Sequence, residues 1–189
     1  MITPQPRGSQ KENKPKTDAD FPVVETERLR LHIGTIDDLD ELDDYFSSEA
    51  SRYVGGPRSR LENWDALCSG VGHWHLRGFG LWIINSKDDG TQLGIVGLTQ
   101  PAGWPEPEMI WVIYDQFSGQ GIATEAIHAA RKASAESFGI KTPISILRPE
   151  HKPLIKMVER MGATKVDGVE LPEIGPVDAW RFPEPETAA

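Results

Sequence analysis

The chain has 189 residues, with 20 Lys and Arg against 29 Asp and Glu, and a net charge of −9. That balance argues against a non-specific nucleic-acid binder, and no apolar run approaches the ~18 residues of a membrane-spanning helix. A single cysteine, Cys68, cannot form an internal disulfide, and the length suits one domain with a core large enough to need no metal or disulfide staple.

Residues 1–21 are polar and lysine-rich with almost no apolar side chains, and read as a disordered tail. The tail lacks the apolar segment of a secretory signal, so the expected location is cytoplasmic. Val23 to Gly34 reads as the first strand, because Leu29, Leu31 and Ile33 alternate with Arg28, Arg30 and His32. A helix starts near Asp37-Asp38, with Leu39, Leu42 and Phe46 on one face. The acidic run from Asp37 to Asp44 reads as its solvated side and not as a metal site.

Gly55-Gly56-Pro57 breaks the chain. A second helix is expected from about Ser59, with Leu61, Trp64, Leu67 and Val71 as its apolar stripe. His73 and His75 are two positions apart, share no helix face, and have no cysteine nearby to complete a tetrahedral metal set. Gly80 to Asn85 and Leu93 to Leu98 form a hairpin across the Asp-Gly turn at Asp89-Gly90. Gly94 and Gly97 inside the second of these strands predict a bulge or the close approach of another backbone. A Pro-rich loop, Gln100 to Pro107, follows.

The next stretch organises the chain. An apolar strand, Met109 to Tyr114, runs through Gly119-Gln120-Gly121 into a long helix. Ile122, Ala126, Ala129, Ala130 and Ala133 give that helix a narrow inner side. Glycines at a helix start let a ligand reach the backbone, and the free N–H groups and the helix dipole there favour an anion. No Gly-Lys-Ser/Thr follows, and the third glycine of a dinucleotide fingerprint is missing, so neither a triphosphate loop nor a Rossmann site fits. Beyond Gly139, Pro143 to Leu147 reads as a strand and His151 to Met161 as a helix with Leu154, Ile155, Val158 and Met161 inward. Pro153 sits in its first turn, and Gly162 stands just past its end. Ala163 to Val169 and Val177 to Phe182 close the domain as an antiparallel pair, and residues 184–189 read as frayed. Hairpins mixed with crossover helices imply one mixed sheet covered by helices.

Gly119-Gln120-Gly121-Ile122-Ala123-Thr124-Glu125-Ala126 resembles the acetyl-coenzyme A loop of the GNAT acyltransferase superfamily, in particular its Rim-type branch of ribosomal-protein N-terminal acetyltransferases. Glu25 to Leu31, Arg77 to Trp82, Leu93 to Leu98 and Glu108-Met109-Ile110-Trp111 resemble further segments of that branch, in the same order. The resemblance covers residues 23–182. It implies an α/β (α+β) domain over residues 22–183, with a mixed, mostly antiparallel sheet of six to seven strands and about four helices. Two registers fit the superfamily's glycine pattern, one starting at Gln116 and one at Ser118; the Thr-Glu-Ala that follows favours the second. Either way the resemblance implies that the pyrophosphate meets the amides of Gly119, Gln120, Gly121, Ile122, Ala123 and Thr124. It also implies that Trp111, Val112 and Ile113 pair with the pantetheine arm.

The reaction so implied moves an acetyl group from acetyl-CoA, as co-substrate, to a primary amine of a small molecule or a peptide N-terminus. No metal, nucleic acid or membrane partner is implied, and a homodimer is compatible with it. Glu108, at the start of the central strand, is the expected general base, and an N–H near Ile113 the expected oxyanion donor. The family helix commonly begins with Asn, with Ser three residues and Tyr seven residues later. Here those positions hold His151, Leu154 and Val158. His151 is therefore the candidate for protonating the thiolate or for holding pantetheine, and unassisted departure is the other route. Tyr45, Tyr53, Trp64, Trp74 and Trp104 are candidates for lining an acceptor pocket, with core packing as the alternative for each. The missing Asn, Ser and Tyr also keep open a non-catalytic CoA-binding or protein-interaction module on the same fold.

Overall fold

The computed structural model describes residues 21–186. Most of the expected tail, and residues 187–189, lie outside the described residues. Phe21, placed in the tail by its sequence, belongs to the domain. It is buried, with its ring 5.1 Å from Trp74 and 5.2 Å from His75.

The segment expected as one first strand is two, β1 (Val24–Glu25) and β2 (Leu29–Ile33), paired antiparallel. Thr26 makes the turn without Gly or Pro: its backbone N–H donates to Leu29 O at 2.9 Å, and its hydroxyl accepts from Leu29 N at 2.9 Å. A short 3₁₀ turn at Ile36–Asp38 leads into α1 (Leu39–Phe46), which buries Leu39, Leu42, Tyr45 and Phe46. A second 3₁₀ segment, Glu49–Tyr53, precedes α2 (Arg60–Arg77). Ser59 caps α2 in a reciprocal box: Glu62 N donates to the Ser59 hydroxyl at 3.3 Å and Ser59 N donates to the Glu62 carboxylate at 2.7 Å.

The apolar stripe expected on α2 holds only in its later part, at Leu67 and Val71, which are partly buried. Leu61 and Trp64 are 69% and 42% exposed, and Asn63 and Trp74 are the buried residues. Cys68 is exposed on the same helix. His73 serves packing: its Nδ1 bonds Phe79 O at 2.7 Å and its Nε2 accepts from Gln100 N at 2.9 Å.

Strands β3 (Leu81–Ser86) and β4 (Gln92–Thr99) form the expected hairpin, with a register shift where Ile84 faces Gly94 and Asn85 faces Gln92. Then come β5 (Glu108–Ile113), α3 (Ile122–Phe138), β6 (Ile144–Ile146) and α4 (Lys152–Arg160). The chain ends through β7 (Thr164–Val166), the small β8–β9 hairpin (Glu170–Leu171 and Gly175–Pro176) and β10 (Ala179–Arg181). The main sheet has eight strands in the order β1-β2-β3-β4-β5-β6-β10-β7. Among the described residues only β5 and β6 pair in parallel, and α3 supplies the crossover that such a pair requires.

One face of the sheet carries α3 and α4 over the main core. Ala126, Ala130 and Ala133 of α3 are buried there, and Val158 of α4 is fully enclosed. The small residues let α3 lie close to the strands. The other face packs Leu42, Tyr45 and Phe46 of α1 on Ile83 and Tyr114. Gly94 has φ +149°, and a Cβ there would lie 2.0 Å from Val112 O. Gly94→Ala is therefore expected to destabilise the fold by ~3 kcal/mol, read from urea midpoints. An unchanged midpoint would show that β4 and β5 can spread at no cost.

Candidate functional site

The cleft follows from where β5 and β6 stop pairing. Their only register pair is Glu108 with Ile144. Beyond it, α4 and the turn ahead of it form the opposite wall, and the gap is continuous with two cavities. The inner one, about 610 Å³, is lined by Glu108, Ile110, Trp111, Ile146, His151 and Leu154 among others. The outer one, about 710 Å³, is lined by Trp111, Ile113, Ser118, Gly119, Gly121, Ala123 and Thr124 on one side and by Leu154, Met157 and Arg160 on the other. Tyr53, Val54, Trp111, Pro153 and Leu154 line both.

The strand alternation fixes which backbone groups β5 offers to this cleft. Pro107 O accepts from Ile144 N at 3.2 Å and Met109 O accepts from the Ser145 hydroxyl at 2.5 Å, so odd positions face the β6 side. Tyr114 N donates to Leu93 O at 2.9 Å, so even positions face β4. Trp111 and Ile113 thus present N–H and C=O groups to the open edge, free to pair with an extended ligand. Val112, grouped with them in the sequence, points its backbone at β4 and gives the site only a side chain.

At the outer end, Gly119 and Gly121 both adopt left-handed backbone, φ +75° and +80°. Gly121 is the N-cap of α3, and no side chain caps that end. The first intrahelical bond is Glu125 N to Gly121 O at 3.1 Å, so the amides before it are left for a ligand or water. Gln120 does not line the cavity. Its carbonyl accepts from Arg28 Nη1 at 3.1 Å, and its side chain folds back to Gln116 O at 3.4 Å.

Arg28 holds more than that carbonyl. Its Nε and Nη2 donate to Glu125 Oε2 at 2.7 and 2.6 Å, and the Thr26 hydroxyl donates to Glu125 Oε1 at 2.5 Å. Burial pushes the Glu125 carboxyl up, but the bonds from Thr26 and Arg28 outweigh it and hold the pKa below its usual value. The first strands thereby anchor the glycine loop. The sequence hinted at both partners, in the Glu25–Leu31 and Thr124–Ala126 segments, and nothing in it linked them. Arg52 and Arg160, on the wall of the outer cavity, had no motif to mark them.

At the inner end, Glu108 is only 7% exposed. Its Oε1 accepts from Ile146 N at 3.2 Å. Loss of solvation raises its pKa to about 7, a rise that the Ile146 bond partly opposes. A carboxyl poised there can take up or release a proton near neutral pH. His151 is the N-cap of α4 and lines the same cavity, with no side-chain bond to the helix. Val158 is fully buried, and Leu154 faces the cleft with an apolar side chain. Of the aromatic candidates, Tyr53 lines both cavities, and Tyr45 lines the outer one while stacked 4.2 Å from Tyr114. Trp74 is a core residue, its indole N–H bonded to Leu81 O at 2.8 Å. Trp64 and Trp104 line neither cavity. Among the described residues no group of three or more His, Cys, Asp and Glu is placed to hold a metal, and no helix is long and apolar enough to cross a membrane.

An acetyltransferase from Agrobacterium tumefaciens str. C58 superposes with a TM-score of 0.77 at 27% identity, covering 92% of this chain and 99% of its own. A ribosomal-protein-serine acetyltransferase assigned in Vibrio cholerae matches at TM-score 0.70 and 19% identity, over 88% and 98% of the two chains. RimL, the ribosomal L7/L12 alpha-N-protein acetyltransferase, in complex with coenzyme A, matches at 0.63 and 13%, over 86% and 98%. The family model described as "Acetyltransferase (GNAT) domain" matches residues 28–164. With that model spanning most of the chain and Rim-type enzymes among its structural neighbours, the protein belongs to the GNAT acetyltransferase family.

Proposed function

We propose that the protein transfers an acetyl group from acetyl-CoA to a primary amine of a small molecule or a peptide N-terminus by direct attack. The observation that carries this reading is one continuous cleft with an uncapped, glycine-opened helix start at one end and a buried Glu108 at the other. The amides of residues 121–124 suit a pyrophosphate. The open edge at Trp111 and Ile113 suits the amide-bearing arm that follows it. The neighbour that holds coenzyme A on the same fold supports this choice of ligand.

Acetyl-CoA supplies an activated acyl carbon and a sulfur leaving group. The chain's own residues do the rest. An ammonium must first lose a proton, since a lysine-type amine has a pKa of ~10.4 and an α-amine ~8. Glu108, as carboxylate, receives protons from nitrogen, directly or through one water. The nitrogen lone pair forms the new C–N bond, the C–S bond breaks, and sulfur departs with the bonding pair. A cleft-facing N–H of β5, at Trp111 or Ile113, stabilises negative charge on the carbonyl oxygen. His151 shares the cavity and can protonate the sulfur. With a thiol pKa of ~8.5 the thiolate is also able to leave unaided.

Leu154 and Val158 carry no proton in place of the family's Ser and Tyr, which favours a second reading as a non-catalytic coenzyme A-binding module. Free-thiol release on mixing the full chain with acetyl-CoA and a panel of primary amines separates the two. Release above background with at least one amine is expected. Tight acetyl-CoA binding without turnover of any amine would establish the second reading.

A further inference from the structure

We propose that the acceptor amine carries an uncharged apolar group, about the size of a phenyl ring or branched alkyl chain, seated in a cavity between α2 and the sheet. The inference rests on the acetyl-transfer reading above and names its substrate class.

The cavity arises from the composition of one helix face. Asn63, Ala66, Leu67, Gly70 and Val71 fall at i, i+3, i+4, i+7 and i+8, the spacing of a single face, and all five line it. A face turned to a sheet is ordinarily filled with large side chains. Here Ala66 and Gly70 leave room, and a Cβ built on Gly70 meets no heavy atom within 4 Å. The space is about 220 Å³, and the sheet side of its wall includes Ile83, Ile95 and Val112. An apolar cavity of ~150 Å³ is enough to bind benzene.

The cavity adjoins the catalytic end of the cleft. Val54 and Ile110 line both this space and the one that holds Glu108. Ile110 is two residues beyond Glu108 on the same strand, so both side chains point to the same face, ~7 Å apart along it. An amine at Glu108 therefore reaches the cavity mouth with a group that begins three bonds from nitrogen and extends to ~7 Å from it. Phenethylamine has that spacing, and so does the side chain of an N-terminal phenylalanine.

One buried polar atom on this wall lacks a hydrogen-bond partner among the described residues. Asn63 is 3% exposed, and its Nδ2 donates to Asp43 Oδ1 at 2.8 Å, which fixes the amide orientation. Its Oδ1 is buried with no hydrogen-bond partner. Buried acceptors are ordinarily satisfied; this one is closed off from the cavity, so a group seated there meets it only if the Asn63 side chain turns. A cationic group would lose its hydration there, since the lining residues include no carboxylate. Arg58, whose Nε is bonded to Gly55 O at 2.8 Å, has further donors on the same wall for a carbonyl elsewhere on the acceptor.

The test is thiol release by the full chain at saturating acetyl-CoA. Phenethylamine and Phe-Ala are compared with ethanolamine and Ser-Ala. The apolar member of each pair is expected to show a kcat/KM ~100-fold higher. Preference between Phe-Ala and phenethylamine tells a peptide N-terminus from a free amine, and either result supports the assignment. Gly70→Leu fills the cavity at a position with ordinary helical backbone. It should raise KM for the apolar acceptors at least ~10-fold more than for the polar ones, with KM for acetyl-CoA unmoved, and Gly70→Ala should do the same to a smaller degree. Equal use of polar and apolar amines, or no selective effect of either variant, overturns the acceptor assignment alone. No release with any amine overturns the acetyl-transfer reading and this one with it.

Discussion

Glu108→Gln is expected to lower kcat ~100-fold or more while leaving the affinity for acetyl-CoA within about twofold. The glutamine keeps the shape and can still accept the bond from Ile146 N, but it cannot take up a proton. The same carboxyl predicts the pH profile. Its pKa of about 7 comes from burial, opposed in part by the Ile146 bond. Only the ionised form acts as base, so kcat/KM should rise as pH climbs through about 7 and this limb should vanish in the glutamine variant. Stability carries an independent signature. The folded chain holds the Glu108 proton up to about 7, whereas an exposed glutamate releases it near 4.5. Between those values the folded state binds more protons than the unfolded one, so stability falls as pH rises through that window, by up to ~3 kcal/mol. Glu108→Gln removes that loss and should be the more stable protein at pH 8, by urea midpoints. Full turnover in the variant would remove Glu108 as base. A stability difference that does not change with pH would show that burial does not shift its titration.

The two ends of the cleft differ in how far the sequence disclosed them. The glycine loop is local: a strand, two glycines and a helix with small residues lie within one continuous stretch, so backbone chemistry alone points to an anion site. The burial of Glu108 is not local. It depends on Ile144 pairing beside it and on Ile146 N bonding its carboxylate, contacts that cross 36 and 38 positions. Strand periodicity placed Glu108 at the start of β5 and left its environment open.

The α2 face shows a different limit. Periodicity finds large apolar residues, and Leu61 and Trp64 drew the stripe toward them, yet both are solvent-exposed. The face that meets the sheet keeps Leu67 and Val71 of that stripe, but the small residues and the asparagine between them give little hydrophobic signal, because they border a space instead of filling one. The split of the first strand was hidden for a related reason, since a threonine hydroxyl makes the turn that Gly or Pro would have advertised. The anchoring of Glu125 by Arg28, 97 positions away, joins two segments whose family resemblance was readable one at a time.

Gly121→Trp is expected to weaken acetyl-CoA binding ~100-fold or more, the other large effect, and this one acts on the opposite end of the cleft. Gly121 sits at φ +80° and ψ 0° at the start of α3. A side chain there costs ~1–2 kcal/mol in left-handed backbone, and relaxing that strain re-aims the amides that follow. A Cβ itself fits, since among the described residues beyond its two neighbours the one heavy atom within 4 Å is Arg28 Nη2, at 3.6 Å. The control is at the other end of the same helix. Gly139 is also left-handed, at φ +70°, with nothing within 4 Å of a Cβ, and it lines neither cavity of the cleft. Gly139→Trp should therefore lower Tm by a similar amount and leave the affinity for acetyl-CoA unchanged. Calorimetric titration of both variants separates strain in the helix from loss of the anion site. Equal affinity in the two would place the pyrophosphate elsewhere, and loss in both would make the effect one of stability alone.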